Sequence, residues 1–336
     1  MAREILTTLV GAQPVPDWFS PALGEQALQD ATAVLLKSQE LAGLDLLVDG
    51  EFNRWDPDHP ETDGKIEYFI QRLKNVRTGA SRAEERMFAE LAHLRFRNKP
   101  AGVVEGLIGE GTLNLERDFL RVRQLTQRPL KFTITSPYML GRILVDRQYH
   151  TREELVSALA DVLAGQVRDI QAEVVQINEE VLTGNPADGV WVADALNRIF
   201  AVVPRKSALH MCFGNYGGQP VQQGNYAQLV DFINLLHVDH VLLELARRGP
   251  EELAAIRDIK PAIGIGLGVI DVKSTVIEAP DEVARAIERA DKALGPGRLK
   301  YVTPDCGMWM HRRSVAEGKM SALVRGRDLY LGDSKD

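Results

Sequence analysis

The chain has 336 residues, 45% of them hydrophobic and 26% charged, a balance that excludes a disordered or fibrous polymer and provides for a sizeable core. Its formal charge of −7, with no clustered run of Lys and Arg, excludes nucleic acid or an anionic membrane surface as the main partner. The N-terminus lacks a signal peptide's apolar stretch, and nowhere do about 18 apolar residues run together. A soluble, cytoplasmic setting is expected.

In chain order, short apolar, β-branched runs fall at 5–11, 46–50, 130–135, 174–178, 207–212, 240–245, 262–271 and 301–306, alternating with longer segments of helical period. Several helices open on a capping pattern, in which a Thr, Asn or Ser side chain covers free backbone N–H groups and an acid or amide three residues on reaches back. Thr151 with Glu154, Asn225 with Gln228, and Ser314 with Glu317 fit it. Near-continuous apolar strands separated by helices imply parallel pairing with both faces covered. Eight such units predict an α/β fold, a closed (β/α)8 TIM barrel, as one domain over 1–336. The irregular stretch is 54–128, between the second and third strands. It is too long for one crossover, has a helical pattern near 81–95, and carries a Gly-rich run at 102–111 that predicts a small hairpin. No Pro/Gly/Ser-rich linker isolates it, so it reads as an insertion on the barrel.

Functional residues of such a barrel gather at the C-terminal strand ends. The fifth strand ends His210-Met211-Cys212, the sixth carries Glu244, and the eighth ends Asp305-Cys306-Gly307. Both cysteines of the chain therefore sit at strand ends, and two cysteines cannot make a disulfide framework. In a His-x-Cys strand end both side chains share a face, because strand side chains alternate with period two. Thiolate, imidazole and carboxylate are ligand types that Zn(II) accepts, so His210, Cys212, Glu244 and Cys306 form the expected metal set. Two thiolates, a carboxylate and a neutral His give a site too electron-rich to activate water well. It suits a thiol substrate, which is only a few per cent ionised at neutral pH with its ordinary pKa of about 8.5 but loses its proton on a cation.

These residues, with the stretches around them, resemble the catalytic C-terminal barrel of the cobalamin-independent methionine synthase family, and more closely its short stand-alone members. The matching stretches are Thr7-Thr8-Leu9-Val10-Gly11, Val48-Asp49-Gly50-Glu51, Gln176-Ile177-Asn178-Glu179, His210-Met211-Cys212, Val241-Leu242-Leu243-Glu244, Gly266-Leu267-Gly268-Val269-Ile270-Asp271 and Pro304-Asp305-Cys306-Gly307. The resemblance implies zinc on the same four residues and transfer of a methyl or other alkyl group to a thiol such as homocysteine, giving methionine. It places Glu51 near the substrate's amino group.

The chain also departs from the family's pattern. Gly-Ser-x-Pro is here Gly11-Ala12-Gln13-Pro14, an Asp that helps hold the substrate ammonium is Asn178, and a His associated with protonating the folate leaving group is Lys273, in Asp271-Val272-Lys273-Ser274. Substrate contacts are accordingly expected at Gly11, Gln13, Glu51 and Asn178, and catalytic groups at Asp271 and Lys273. A lysine of ordinary pKa, about 10.4, is a poor proton donor at neutral pH. The family's N-terminal half, which helps hold folate, has no counterpart in this sequence. The expected partners are thus a small-molecule thiol and an activated alkyl donor, such as a methylated corrinoid or corrinoid protein, in place of folate. Ala12, Asn178 and Lys273 equally fit a coenzyme M transferase-like opening of an epoxide, with Lys273 or His311 polarising its oxygen. A zinc-stabilised binding protein without catalysis is a third reading.

Weaker signals complete the list of candidates. Trp18, Trp55, Trp191 and Trp309 all follow strands, where their area and N–H suit a ligand pocket. The acid-rich loop holding Asp49, Asp56, Asp58, His59 and Asp63 reads as a solvated surface apart from Glu51. Gly264, Gly266 and Gly268 alternate on one strand, which suits close approach of a ligand or a neighbouring backbone.

Overall fold

The computed structural model describes residues 5–92, 94, 97–216 and 218–333, without the side chains of 91 and 92. His93 and Arg95, at the far end of the helix expected near 81–95, lie outside the described residues; the helix itself runs Arg82–Ala92.

The strands in chain order are β1 (Leu6–Thr7), β2 (Leu47–Val48), β3 (Lys74–Arg77), β4 (Gly102–Gly109), β5 (Leu130–Thr135), β6 (Leu144–Asp146), β7 (Val174–Glu179), β8 (Lys206–Met211), β9 (His240–Leu243), β10 (Gly264–Ile270) and β11 (Leu299–Pro304). Eight of them form one sheet in the order β1-β11-β10-β9-β8-β7-β5-β2, every pair parallel. A parallel bridge from Thr8 to Leu46 joins its two ends, so the sheet closes into the expected barrel. Side-chain alternation divides the apolar residues. Leu46, Val174, Ala208, Leu242 and Tyr301, with Leu6, form a small interior cluster, while Phe132, Ile134, Val175, Ile177, Leu209 and Val241 join the large layer under the helices. Burial on both faces explains why these strands read as continuous apolar runs.

The side-chain cap expected at the helix starts is present in two cases of three, while the reach-back of the acid goes to the His150 N–H instead of Thr151 in the first. Thr151 Oγ1 accepts from the Glu154 N–H at 3.2 Å, and Asn225 Oδ1 from the Gln228 N–H at 3.2 Å. The last helix, Arg313–Leu331, instead begins before Ser314, and Glu317 accepts from Arg313 and Ser38.

The region between β2 and β5 differs from the hairpin expectation. The Gly-rich run is one continuous strand, β4, antiparallel to β3 and parallel to β6. β6 comes from the following crossover, beyond β5, so two excursions from the barrel build this three-stranded side sheet together. Arg54 ties the start of the excursion to the barrel wall. Its guanidinium, buried, donates to the Thr133 carbonyl at 2.6 Å and lies over the rings of Tyr68, Phe69 and Phe132, between 5.4 and 5.7 Å from each centroid. Among the described residues no helix is long and apolar enough to cross a membrane.

Candidate metal centre and substrate cleft

The metal-ligand candidates lie where parallel strands end. His210 is the penultimate residue of β8, Cys212 follows that strand, and Cys306 follows β11 by two residues. The His210, Cys212 and Cys306 ligand atoms all lie within 4.8 Å of one another, and all three residues are buried. The two sulfurs are 3.6 Å apart and both cysteines are free. The hydrogen bond from Cys212, helped by His210, holds the Cys306 thiol well below its usual range, while the same contact and burial push Cys212 up. Among the described residues neither buried ring nitrogen of His210 has a hydrogen-bond partner. Two soft sulfurs and an unpartnered imidazole nitrogen, converging on one point, fit a thiophilic cation such as zinc.

The fourth expected ligand, Glu244, directly follows β9 and is not in that close group. Its Oε1 accepts from Lys273 Nζ at 2.9 Å and its Oε2 from the Phe213 N–H at 3.1 Å. Both partners of this ion pair are almost wholly buried. Burial alone would lower the pKa of Lys273, but Glu244, Asp305 and Cys306 together raise it above its ordinary value. Lys273 is therefore a held cation. Asp271 is occupied by its surroundings: one carboxylate oxygen takes the Lys273 N–H at 2.8 Å and the other takes Arg247 Nε at 2.7 Å.

A narrow cleft opens on the cysteines, lined by Ala12, Glu51, Lys65, Thr135, Asn178, Glu179, Glu180, Trp309 and neighbours. Glu51 reaches it through an uncommon backbone: Gly50 and Glu51 both have positive φ, 76° and 61°, and the Glu51 N–H is held by Asp49 Oδ1 at 3.0 Å. Its carboxylate accepts from Thr133 Oγ1 at 2.5 Å and lies 3.7 Å from Arg54. Gly11 is glycine for this reason, since a Cβ there would stand 2.3 Å from Glu51 Oε1. Asn178 Oδ1 accepts from the Gln176 amide at 2.7 Å. Gln13 is buried beside the cleft with its amide donating to the Ala12 carbonyl at 2.9 Å.

Of the four tryptophans only Trp309 lines the cleft; Trp55 packs on Phe19 and Trp191 on Tyr138. The close approach expected at the alternating glycines is present, because a Cβ on Gly268 would meet Asp305 Oδ1 at 2.1 Å. Sequence reasoning missed Lys65, which lies over the Trp309 ring, and Thr135, and found no role for Glu179 and Glu180. Glu179 Oε1 accepts from the N–H groups of Val181 and Leu182, and burial pushes its pKa up to about 7. Glu180 accepts the Cys212 thiol at 3.7 Å and the Tyr216 hydroxyl. Their place at the end of β7 was a usable signal. Lys65, in the loop beyond β2, offered none.

Comparison with known proteins agrees with this architecture. A B12-independent methionine synthase from Shewanella sp. W3-18-1, solved with selenomethionine, superposes with a TM-score of 0.83 at 22% identity, covering 97% of each chain, which establishes the fold. Proteins named methionine synthase from Thermococcus kodakarensis and Pyrococcus furiosus are 28% and 27% identical, covering 96% and 95% of this chain and 92% and 90% of their own. The family model described as the cobalamin-independent synthase catalytic domain matches residues 17–326. The chain belongs to that family.

Proposed function

We propose that the protein is a zinc-dependent methyltransferase that converts a thiol, homocysteine first, into its methyl thioether. The observation that carries this reading is the convergence of His210, Cys212 and Cys306, with the imidazole's ring nitrogens unpartnered, at the floor of an open cleft. Zinc, held there by these three residues and Glu244, would supply the positive charge that keeps an incoming thiol deprotonated at neutral pH. In the net reaction an S–H bond breaks and an S–CH3 bond forms. The bond from methyl to donor breaks with its electron pair leaving on the donor, and the thiol's proton is released to solvent.

The chain's own residues divide the remaining work. Cys212 and Cys306 stay as fixed anionic neighbours of the reacting sulfur. Glu244 is the least thiophilic of the four and would be the one to give way to the substrate, and Lys273, 2.9 Å from its carboxylate, would hold it aside. Lys273 is thereby a positioning residue for Glu244, with Asp271 fixing the backbone N–H of Lys273. A lysine engaged this way is unsuited to protonating a poor amine leaving group, so the donor is one already activated, such as a methylated corrinoid. The wall group Glu51, held by Thr133 and Arg54, and Asn178 shape the substrate end of the cleft, with Gly11 and Gln13 supporting them.

The test is a side-by-side assay of the zinc-loaded protein with homocysteine and either methyl-folate or methylcobalamin, repeated in Lys273→His. The expected result is slow or absent transfer from methyl-folate and faster transfer from methylcobalamin. Fast turnover of methyl-folate by the unsubstituted protein would overturn the donor assignment.

A further inference from the structure

One cation in the cleft has no role in the chemistry described so far. Lys65 follows a tight turn in which Asp63 and Gly64 both have positive φ, and its carbonyl takes the Thr135 hydroxyl at 3.1 Å, fixing the residue against β5. The side chain is 9% exposed and lines the cleft along with Ala12, Asn178 and Cys306. Its ammonium stands 4.9 Å from the centre of the Trp309 ring and 6.0 Å from that of Tyr216. The nearest carboxylate oxygen, Glu180 Oε1, is 4.0 Å away and already accepts the Tyr216 hydroxyl, while Glu180 Oε2 faces the Cys212 thiol. Among the described residues the ammonium thus has an ion-pair neighbour at the limit of range and no hydrogen-bond acceptor. A three-donor group placed this way is ready for an anion from outside.

The groups that could hold a substrate cation are, by contrast, engaged elsewhere or held back from full charge. Glu51 is covered by Thr133 and faces Arg54, whose charge opposes its own. Asn178 is neutral, and its carbonyl oxygen is taken by Gln176. Glu179 spends one oxygen on two backbone N–H groups; its other oxygen has no partner among the described residues, but burial favours the uncharged form of the group.

We propose that Lys65 is the specificity-determining residue of this cleft: it binds the acid group of the thiol substrate, so that mercapto acids are recognised through their carboxylate and an amino group contributes little. The proposal rests on the thiol methyltransferase reading above and names the feature its substrate must carry. Homocysteine satisfies it through its carboxylate.

Calorimetric binding of three thiols to the zinc-loaded protein separates the possibilities: homocysteine, 4-mercaptobutyrate, which lacks only the amino group, and 3-aminopropanethiol, which lacks only the carboxylate. The expected result is a loss of at least about tenfold in affinity without the carboxylate and less than about threefold without the amino group, as for a charge-assisted contact made at one end only. Lys65→Met should bring homocysteine and 3-aminopropanethiol to within about threefold of each other, and Lys65→Arg should keep most of the carboxylate preference. Equal binding of 3-aminopropanethiol and homocysteine by the unsubstituted protein would overturn the proposal while leaving the thiol reading intact. So would a Lys65→Met variant that weakens all three thiols alike. Failure of every thiol to bind would overturn both.

Discussion

Lys131 is buried in β5 with its amine unpartnered, and burial lowers its pKa from 10.5 to about 7 against the pull of Glu51. Between about pH 7 and 10.5 the unfolded chain therefore holds a proton that the folded one has lost, and stability contributed at this site rises with pH across that window. Below it the full cost of a buried, unpaired charge is present. Lys131→Met should raise stability at pH 7 by roughly 1–3 kcal/mol, the cost of a buried polar group without a partner, and should flatten the rise towards pH 10. Urea unfolding of both proteins at pH 6, 8 and 10 checks this; parallel pH curves would show that Lys131 finds a partner in solution. The same scale holds the residues that sequence reading reached best. His210, Cys212 and Cys306 were legible because each ends a strand in a barrel whose strand ends face one another. Lys65 was not, because no period or spacing rule marks a lysine in a 25-residue excursion between the end of β2 and the start of β3.

At the scale of elements, Arg54 joins the excursion after β2 to the barrel and opposes the charge of Glu51 at 3.7 Å, with both side chains buried. Its removal would take the buried ion-pair partner away from Glu51. Arg54→Met should cost about 3–5 kcal/mol, as for one partner removed from a buried pair, read from the urea midpoint at constant m. A loss under about 1 kcal/mol would mean that the aromatic contacts alone seat the loop. The eight barrel strands were readable because each is short, β-branched and buried on both faces. The side sheet was not. β4 pairs with β3 across the helix Arg82–Ala92 and with β6 from another crossover, and such non-local pairing leaves no local pattern. A Gly-rich run looks like a hairpin only while its partners are unknown.

For the whole molecule, closing the sheet brings Cys212 and Cys306, 94 residues apart, to within 3.6 Å and sets the cleft over them. The central claim is that this point holds zinc and receives a thiol. Zinc X-ray absorption on the loaded protein, before and after a saturating mercapto acid, tests it most directly. The account predicts one bound zinc with two sulfur neighbours, becoming three as an oxygen neighbour is lost, and loss of most of the metal in Cys306→Ser. Equal zinc binding with both cysteines replaced, or an unchanged set of neighbours at saturating thiol, would contradict it.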